Sequence, residues 1–250
     1  WSSDVCSSDL LPVKVSSWKA NQVLENDHLG SIPRTNISIK ISSLYAKTDP
    51  ISHDASIDGL LDALRPILEE AGRSGTFINF DMEQFEYKDL TLNLFMRCCE
   101  EIDFPAGIAL QSYLRSGDED AKQIISWSVR TGKTVTVRLV KGAYWDYETI
   151  HAEELGWPVP VWSRKVDTDA CFERMTSLFI ESTPNDLGQG GVKLALGSHN
   201  IRSIATGLAL LEQRDLPTSA MEVQMLRGMA DQLKSGVLEE GLRLREYVPV

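Results

Sequence analysis

Four cysteines occur in 250 residues, and none stands in CxxC spacing, which argues against a disulfide framework or a zinc-thiolate site. A reducing, cytoplasmic setting is the expectation. The four histidines, His28, His53, His151 and His199, fall in separate segments without HxxxH or HxH spacing, so no metal site is expected. No apolar run is long enough to span a bilayer, and the N-terminus lacks the basic-then-apolar order of a secretory signal. Any membrane contact is expected to be peripheral. Basic residues are in deficit, 25 against 36 acidic for a net charge of −11, and no Lys/Arg cluster could track a phosphate backbone. Nucleic acid is therefore not an expected partner. The chain also lacks GxGxxG and GxxxxGK[ST] turns, which disfavours an open doubly wound nucleotide-binding sheet, and it lacks the GxSxG elbow of a serine nucleophile.

What is present is a composition ordinary for a folded domain, 42% apolar and 24% charged. The first ten residues (WSSDVCSSDL) are Ser/Asp-rich without periodicity and read as the translation of a sequencing-library adapter, a scar rather than fold. Residues 11–35 form a connector bearing Pro, Asn and Gly. From Asn36, short β-branched or apolar runs alternate with helical periods. Seven strands are expected: Asn36–Tyr45, Thr76–Glu83, Ala106–Tyr113, Thr134–Lys141, Val192–His199, Ala220–Leu226 and Leu244–Pro249. Amphipathic stretches separate them, at Ile57–Gly72, Leu90–Glu101, Ala121–Thr131, Asp167–Ser182, Ile201–Arg214 and Met229–Leu242. The units recur every roughly thirty residues, the spacing of a (β/α)8 TIM-type barrel, here incomplete with about seven of eight strands. The acidic run Gly117–Asp120 is expected as a solvated helix entrance.

In such barrels the active site lies at the C-terminal strand ends. Strand alternation sends Asn79, Asp81 and Glu83 to one face and Phe80 and Met82 to the other; large apolar residues belong outside, under the helices. By the same parity Arg138 shares a face with Thr136 and Val140, Glu222 with Gln224, and Lys40 with Ser42. Lys40, Asp81, Glu83, Arg138 and Glu222 are thus expected to meet in the lumen, as structural ion pairs or as a site. His199 is a candidate base or cofactor contact. Lys141, at a strand end, is the residue for a different chemistry, a Schiff-base lyase or aldolase. Charge and donors without a nucleophile of their own suit a cofactor enzyme.

Arg138-Leu-Val-Lys-Gly-Ala-Tyr-Trp-Asp146 resembles the most distinctive motif of the proline dehydrogenase barrel, as found in bacterial bifunctional proline utilization A (PutA) enzymes. The resemblance continues in order through Ser38–Leu44, Phe77–Gln84, Leu110–Tyr113, Val161–Thr168, Gly197–Asn200, Glu222–Met229 and Arg245–Val250. It implies FAD-dependent oxidation of L-proline to Δ1-pyrroline-5-carboxylate, with electrons passing to a membrane quinone, and fusion to an aldehyde dehydrogenase domain in the full protein. Carried over, it implies flavin contacts from Gln111, Arg138, Val140, Lys141, Gly142, Ala143, Trp145, Ser163, Arg164, Lys165, His199 and Asn200. Substrate contacts are implied for Lys40, Asp81, Tyr144, Leu226 and Tyr247, with Lys40, Asp81 and Arg138 as the catalytic set. Ser163 stands where the family usually has Thr, and Arg227 where His is common. The family's first strand and its final helix, with a carboxylate-clamping Arg pair, are not in the sequence, so a chain cut at both ends, and an inactive fragment, are further expectations.

Overall fold

The structure, a computed structural model, describes residues 19–22 and 24–248. The adapter-like segment, the first part of the connector and Pro249 lie outside the described residues. Seven parallel strands follow one another in chain order around a single curled sheet: β3 (Asn36–Ile39), β4 (Phe77–Phe80), β5 (Ala106–Gln111), β6 (Thr134–Val140), β7 (Gly191–Gly197), β8 (Met221–Leu226) and β9 (Arg243–Tyr247). Each is followed by helix except β9. The helices are α1 (His53–Ser74), α2 (Lys88–Glu101), α3 (Gly117–Thr131), α4 (Trp145–Leu155), α5 (Lys165–Glu181), α6 (Ile201–Gln213) and α7 (Asp231–Glu239). This is the α/β barrel architecture expected, as a seven-strand wall.

The outer layer is apolar because alternate strand residues point under the helices. Ile78 and Phe80 of β4 are buried there, and Phe80 meets Phe95 of α2 edge-on at 5.4 Å. Three helices stop where a glycine takes up the left-handed backbone, α1 at Gly75 (φ 65°), α3 at Gly132 (φ 69°) and α4 at Gly156 (φ 66°).

Four local expectations are corrected. β3 ends at Ile39, and a 3-10 turn at Ile41–Ser43 replaces the rest of the expected strand. Helix α4 was not anticipated. The connector is not featureless: β1 (Asn26–Asp27) and β2 (Gly30–Ser31) form a small antiparallel hairpin. It is tied to the barrel by Lys193 Nζ donating to Asp27 at 2.8 Å, His28 Nε2 against the Pro184 carbonyl at 2.8 Å, and Arg243 donating to the Asn26 carbonyl at 3.1 Å. Finally, the acidic run opening α3 is not all solvated. Asp120 is buried, accepting from Lys88 Nζ at 2.7 Å and from the Ser116 hydroxyl at 3.0 Å.

Candidate active site

A cavity of about 480 Å3 opens at the C-terminal ends of the strands. Its centre is Arg138 on β6. Register explains why a long cation fits there: Arg138 stands between Ala109 of β5 and Ala195 of β7, so neighbouring strands leave room in the lumen. The guanidinium donates from Nε to Gln224 Oε1 at 2.7 Å, from Nη1 to Asp81 Oδ1 at 2.7 Å, and from Nη2 to Ser38 Oγ at 3.0 Å. It also lies over the Tyr247 ring at 5.1 Å. Three donors in a planar fork, each in use, fix the charge in direction as well as position.

Asp81 follows β4 and is shared: besides Arg138 it accepts from Asn79 Nδ2 at 3.1 Å and from the Tyr247 hydroxyl at 3.4 Å. Burial, and then the Asp81 carboxylate, push the Tyr247 phenol up from its ordinary value, so it stays a donor. Lys40, just past β3, is exposed at the rim and has no ion-pair partner among the described residues. On the opposite wall the backbone N–H of Leu226 donates to His199 Nε2 at 3.1 Å, a bond that places the ring proton on Nδ1. Gln111 closes β5 with its Oε1 buried and without a hydrogen-bond partner.

The Lys141–Tyr144 loop lies across the mouth. Gly142 adopts φ 137°, and a Cβ there would come within 2.4 Å of the Tyr113 ring, so the backbone can approach only as glycine. Lys141 is paired with Asp169, which also accepts from Lys165 at 2.7 Å. Burial works against the Asp169 charge, but the two lysines outweigh it and hold the carboxyl below its ordinary value. Lys141 is thereby tied into an ion pair on the cavity wall.

Of the residues named from sequence, Lys40, Asp81, Gln111, Arg138, Val140, Lys141, Gly142, Ala143, Tyr144, His199, Leu226 and Tyr247 line this one cavity. Trp145, Ser163, Arg164, Lys165 and Asn200 do not. Trp145 donates to the Trp162 carbonyl at 2.8 Å, Arg164 pairs with Asp167 at 2.8 Å, and Ser163 is exposed. Asn200 caps α6, accepting from the Arg202 and Ser203 amides.

The five lumen charges do not all converge. Glu83 accepts from the Ser42 amide and hydroxyl at 3.1 and 2.6 Å, outside the cavity. Glu222 sits beneath it with Arg243 and Arg245, at 3.0 and 2.6 Å. Gln224, left without a role by sequence, joins the two levels by accepting from Arg138 and donating to Glu222 at 2.8 Å. Its signal was its parity with Glu222. Met82, Ala109, Gly197, Ser198 and Met225 complete the wall; Met82, expected outside under the helices from strand parity, lies past the end of β4 and lines the cavity instead. Among the described residues no group of His, Cys, Asp and Glu is placed to hold a metal ion, and no helix is long and apolar enough to cross a membrane.

Comparison with known proteins gives this geometry a context. The chain is 28% identical over 208 residues to proline dehydrogenase 1 of Bacillus subtilis, covering 83% of this chain and 61% of that protein. It is 28% identical over 206 residues to the bifunctional protein PutA of Escherichia coli, covering 79% of this chain but 15% of the relative. The chain thus spans under two thirds of the length of these relatives. Among solved structures it superposes on proline utilization A from Bdellovibrio bacteriovorus, inactivated by N-propargylglycine, with a TM-score of 0.91 and 38% identity over 97% of this chain and 25% of that one. Residues 12–250 match the family described as proline dehydrogenase, and the chain belongs to that family.

Proposed function

We propose that the cavity binds FAD and L-proline together and that the protein oxidises proline to Δ1-pyrroline-5-carboxylate, electrons leaving to a membrane quinone. The observation that carries the reading is the fixed Arg138 guanidinium in a mouth whose other polar groups leave specific valences open. Gln111 Oε1 is buried and lacks a donor, which an N–H on the edge of a flavin ring would supply. Gly142, packed against the Tyr113 ring, keeps the Lys141–Tyr144 backbone along the edge of the same space. Bound there, FAD supplies a two-electron acceptor for a hydride from the ring carbon beside nitrogen.

The chain's own residues do the rest. Arg138 is a permanent cation beside which added electron density is stabilised. Lys40, unpaired at the rim, holds the substrate carboxylate. Tyr144, Leu226 and Tyr247 give the pyrrolidine ring apolar walls, and Asp81 offers an acceptor for the amine proton whose loss eases hydride departure. The same reading has the full protein fused to an aldehyde dehydrogenase module, which is supported by a relative described as bifunctional of which this chain covers 15%, and has it cytoplasmic with peripheral membrane contact.

The test is a spectrum. Purified chain reconstituted with FAD is expected to retain flavin absorbance through desalting and to bleach anaerobically on L-proline. Retained flavin that dithionite bleaches and proline does not would remove the substrate assignment; failure to retain flavin would remove the cofactor. The Schiff-base alternative predicts borohydride trapping of a carbonyl compound on Lys141, which its pairing with Asp169 opposes.

A further inference from the structure

Beyond β6 the chain does not pass directly to α5 but first makes α4, whose buried residues are Glu148 and Ala152. Its large apolar side chains face outward: Trp145, Tyr147, Ile150 and Leu155 are exposed, as is Trp157 beyond it. A packing helix does the reverse, burying its apolar stripe and showing its acids to water. Exposed apolar residues grouped in this way mark a contact surface more often than a core.

Between α4, the turn at Phe85–Tyr87 and the segment after Gly156 lies a second cavity, of about 170 Å3, separate from the barrel mouth. Tyr147 and His151 stack at 5.3 Å to make one wall. Trp157 stands at 85° to the His151 ring, centroids 6.2 Å apart, and makes the next. Phe85 adds a further ring. Glu86 and Glu148 line the same space, and no Lys or Arg does. Glu148 is held there by its Oε1, which accepts the Phe85 amide at 2.7 Å. The negative field is felt by the wall itself: burial and then Glu86 and Glu148 push the Tyr147 phenol up.

These features select among ligands. A neutral apolar group would bury area but leave Glu86, and the second oxygen of Glu148, without a counter-charge. An anion is repelled, and a hard metal ion finds too few oxygens in a ring-lined cleft. An alkylated ammonium group meets every wall, its methyls against the ring faces and its diffuse charge near the carboxylates, with no hydrogen bonds required. We propose that this pocket binds a small organic cation of the choline type, seated against the rings of Trp157 and Tyr147 and balanced by Glu86 and Glu148.

The experiment titrates the full chain with choline and with its neutral isostere, in which carbon replaces nitrogen, by ligand-observed NMR and calorimetry. Choline is expected to bind saturably, with the isostere at least about tenfold weaker, and with comparable losses for Trp157→Ala and Glu86→Gln. Both substituted residues are exposed, so unchanged unfolding midpoints confirm that the fold survives. Affinity should also weaken as salt rises. Equal binding of the two probes, binding undiminished in Trp157→Ala, or no saturation overturns the proposal. A free solute and a lipid headgroup share this chemistry: Trp157-dependent sedimentation with phosphatidylcholine vesicles identifies the headgroup, and choline binding without it identifies the solute.

Discussion

Replacing Glu222 by Gln should cost the protein more stability than most single changes to its surface, and should do so in a pH-dependent way. Glu222 is buried beneath the active-site cavity, accepting from Arg245 at 2.6 and 3.0 Å, from Arg243 at 3.0 Å and from Gln224 at 2.8 Å. Burial alone would raise its carboxyl, but Arg245 and then Arg243 overcome that and lower it from 4.5 to about 2. A carboxyl so displaced carries roughly 3 kcal/mol of pH-linked stability, and removing one member of a buried ion cluster leaves uncompensated guanidinium charge worth about 3–5 kcal/mol. The sign follows from the depressed folded value. The contribution is full above the unfolded value of 4.5 and is lost as pH falls toward about 2. Urea unfolding followed by tryptophan fluorescence, at neutral pH and at intervals through the acid range, measures both effects. Glu222→Gln should lower stability by about 3 kcal/mol at neutral pH and flatten the acid limb, since the variant has no carboxyl there to protonate. A loss under about 1 kcal/mol at neutral pH, or an acid limb as steep as that of the parent, would refute the reasoning.

Three further outcomes are expected. Arg138→Lys keeps the charge but cannot reach Gln224, Asp81 and Ser38 together, so flavin retention and proline-dependent bleaching should fall at least about tenfold, with a loss of about 1–3 kcal/mol in stability from the buried groups left without a donor. Gly142→Ala forces a Cβ against the Tyr113 ring at φ 137°, with a loss of about 1–3 kcal/mol in stability; Tyr113→Ala added to it should recover part of that loss, and additive losses would argue against the clash. Lys88→Ala strands the buried Asp120 carboxylate at the start of α3, and denaturant titration should show a loss of about 3–5 kcal/mol that Asp120→Asn partly reverses.

The period-two alternation was enough to place Asp81 and Arg138 on the lumen side and Phe80 under the helices, because a strand buried on both faces still separates large apolar from polar residues. It could not place Glu222 and Arg138 at different depths. The two are linked in register through Ala195, yet barrel strands tilt and stagger, so register neighbours climb the axis from strand to strand. Glu83 was misplaced for a related reason: β4 ends at Phe80, and parity, which still serves at Asp81 one residue on, is lost by Glu83, three residues past the strand's end. Helix α4 escaped notice because its apolar residues do not form a stripe facing the barrel. The hairpin Asn26–Ser31 was hidden differently, being held by Lys193, Pro184 and Arg243, partners more than 150 residues away that no local pattern reports. The family motif, by contrast, named most of the cavity wall directly.

Arg138 also bears on when the site comes into being during folding. Its three partners lie 57, 86 and 100 residues away in the chain, on three different walls. Contacts of such separation form late, after the entropy of closing long loops has been met. No stretch of consecutive βα units shorter than β3 to β8 holds Ser38, Asp81, Arg138 and Gln224 in one arrangement. Capture of a ligand at the mouth therefore serves as a gauge of completed curvature: a chain that has wound only part of its wall offers neither the fixed cation nor the space beside it.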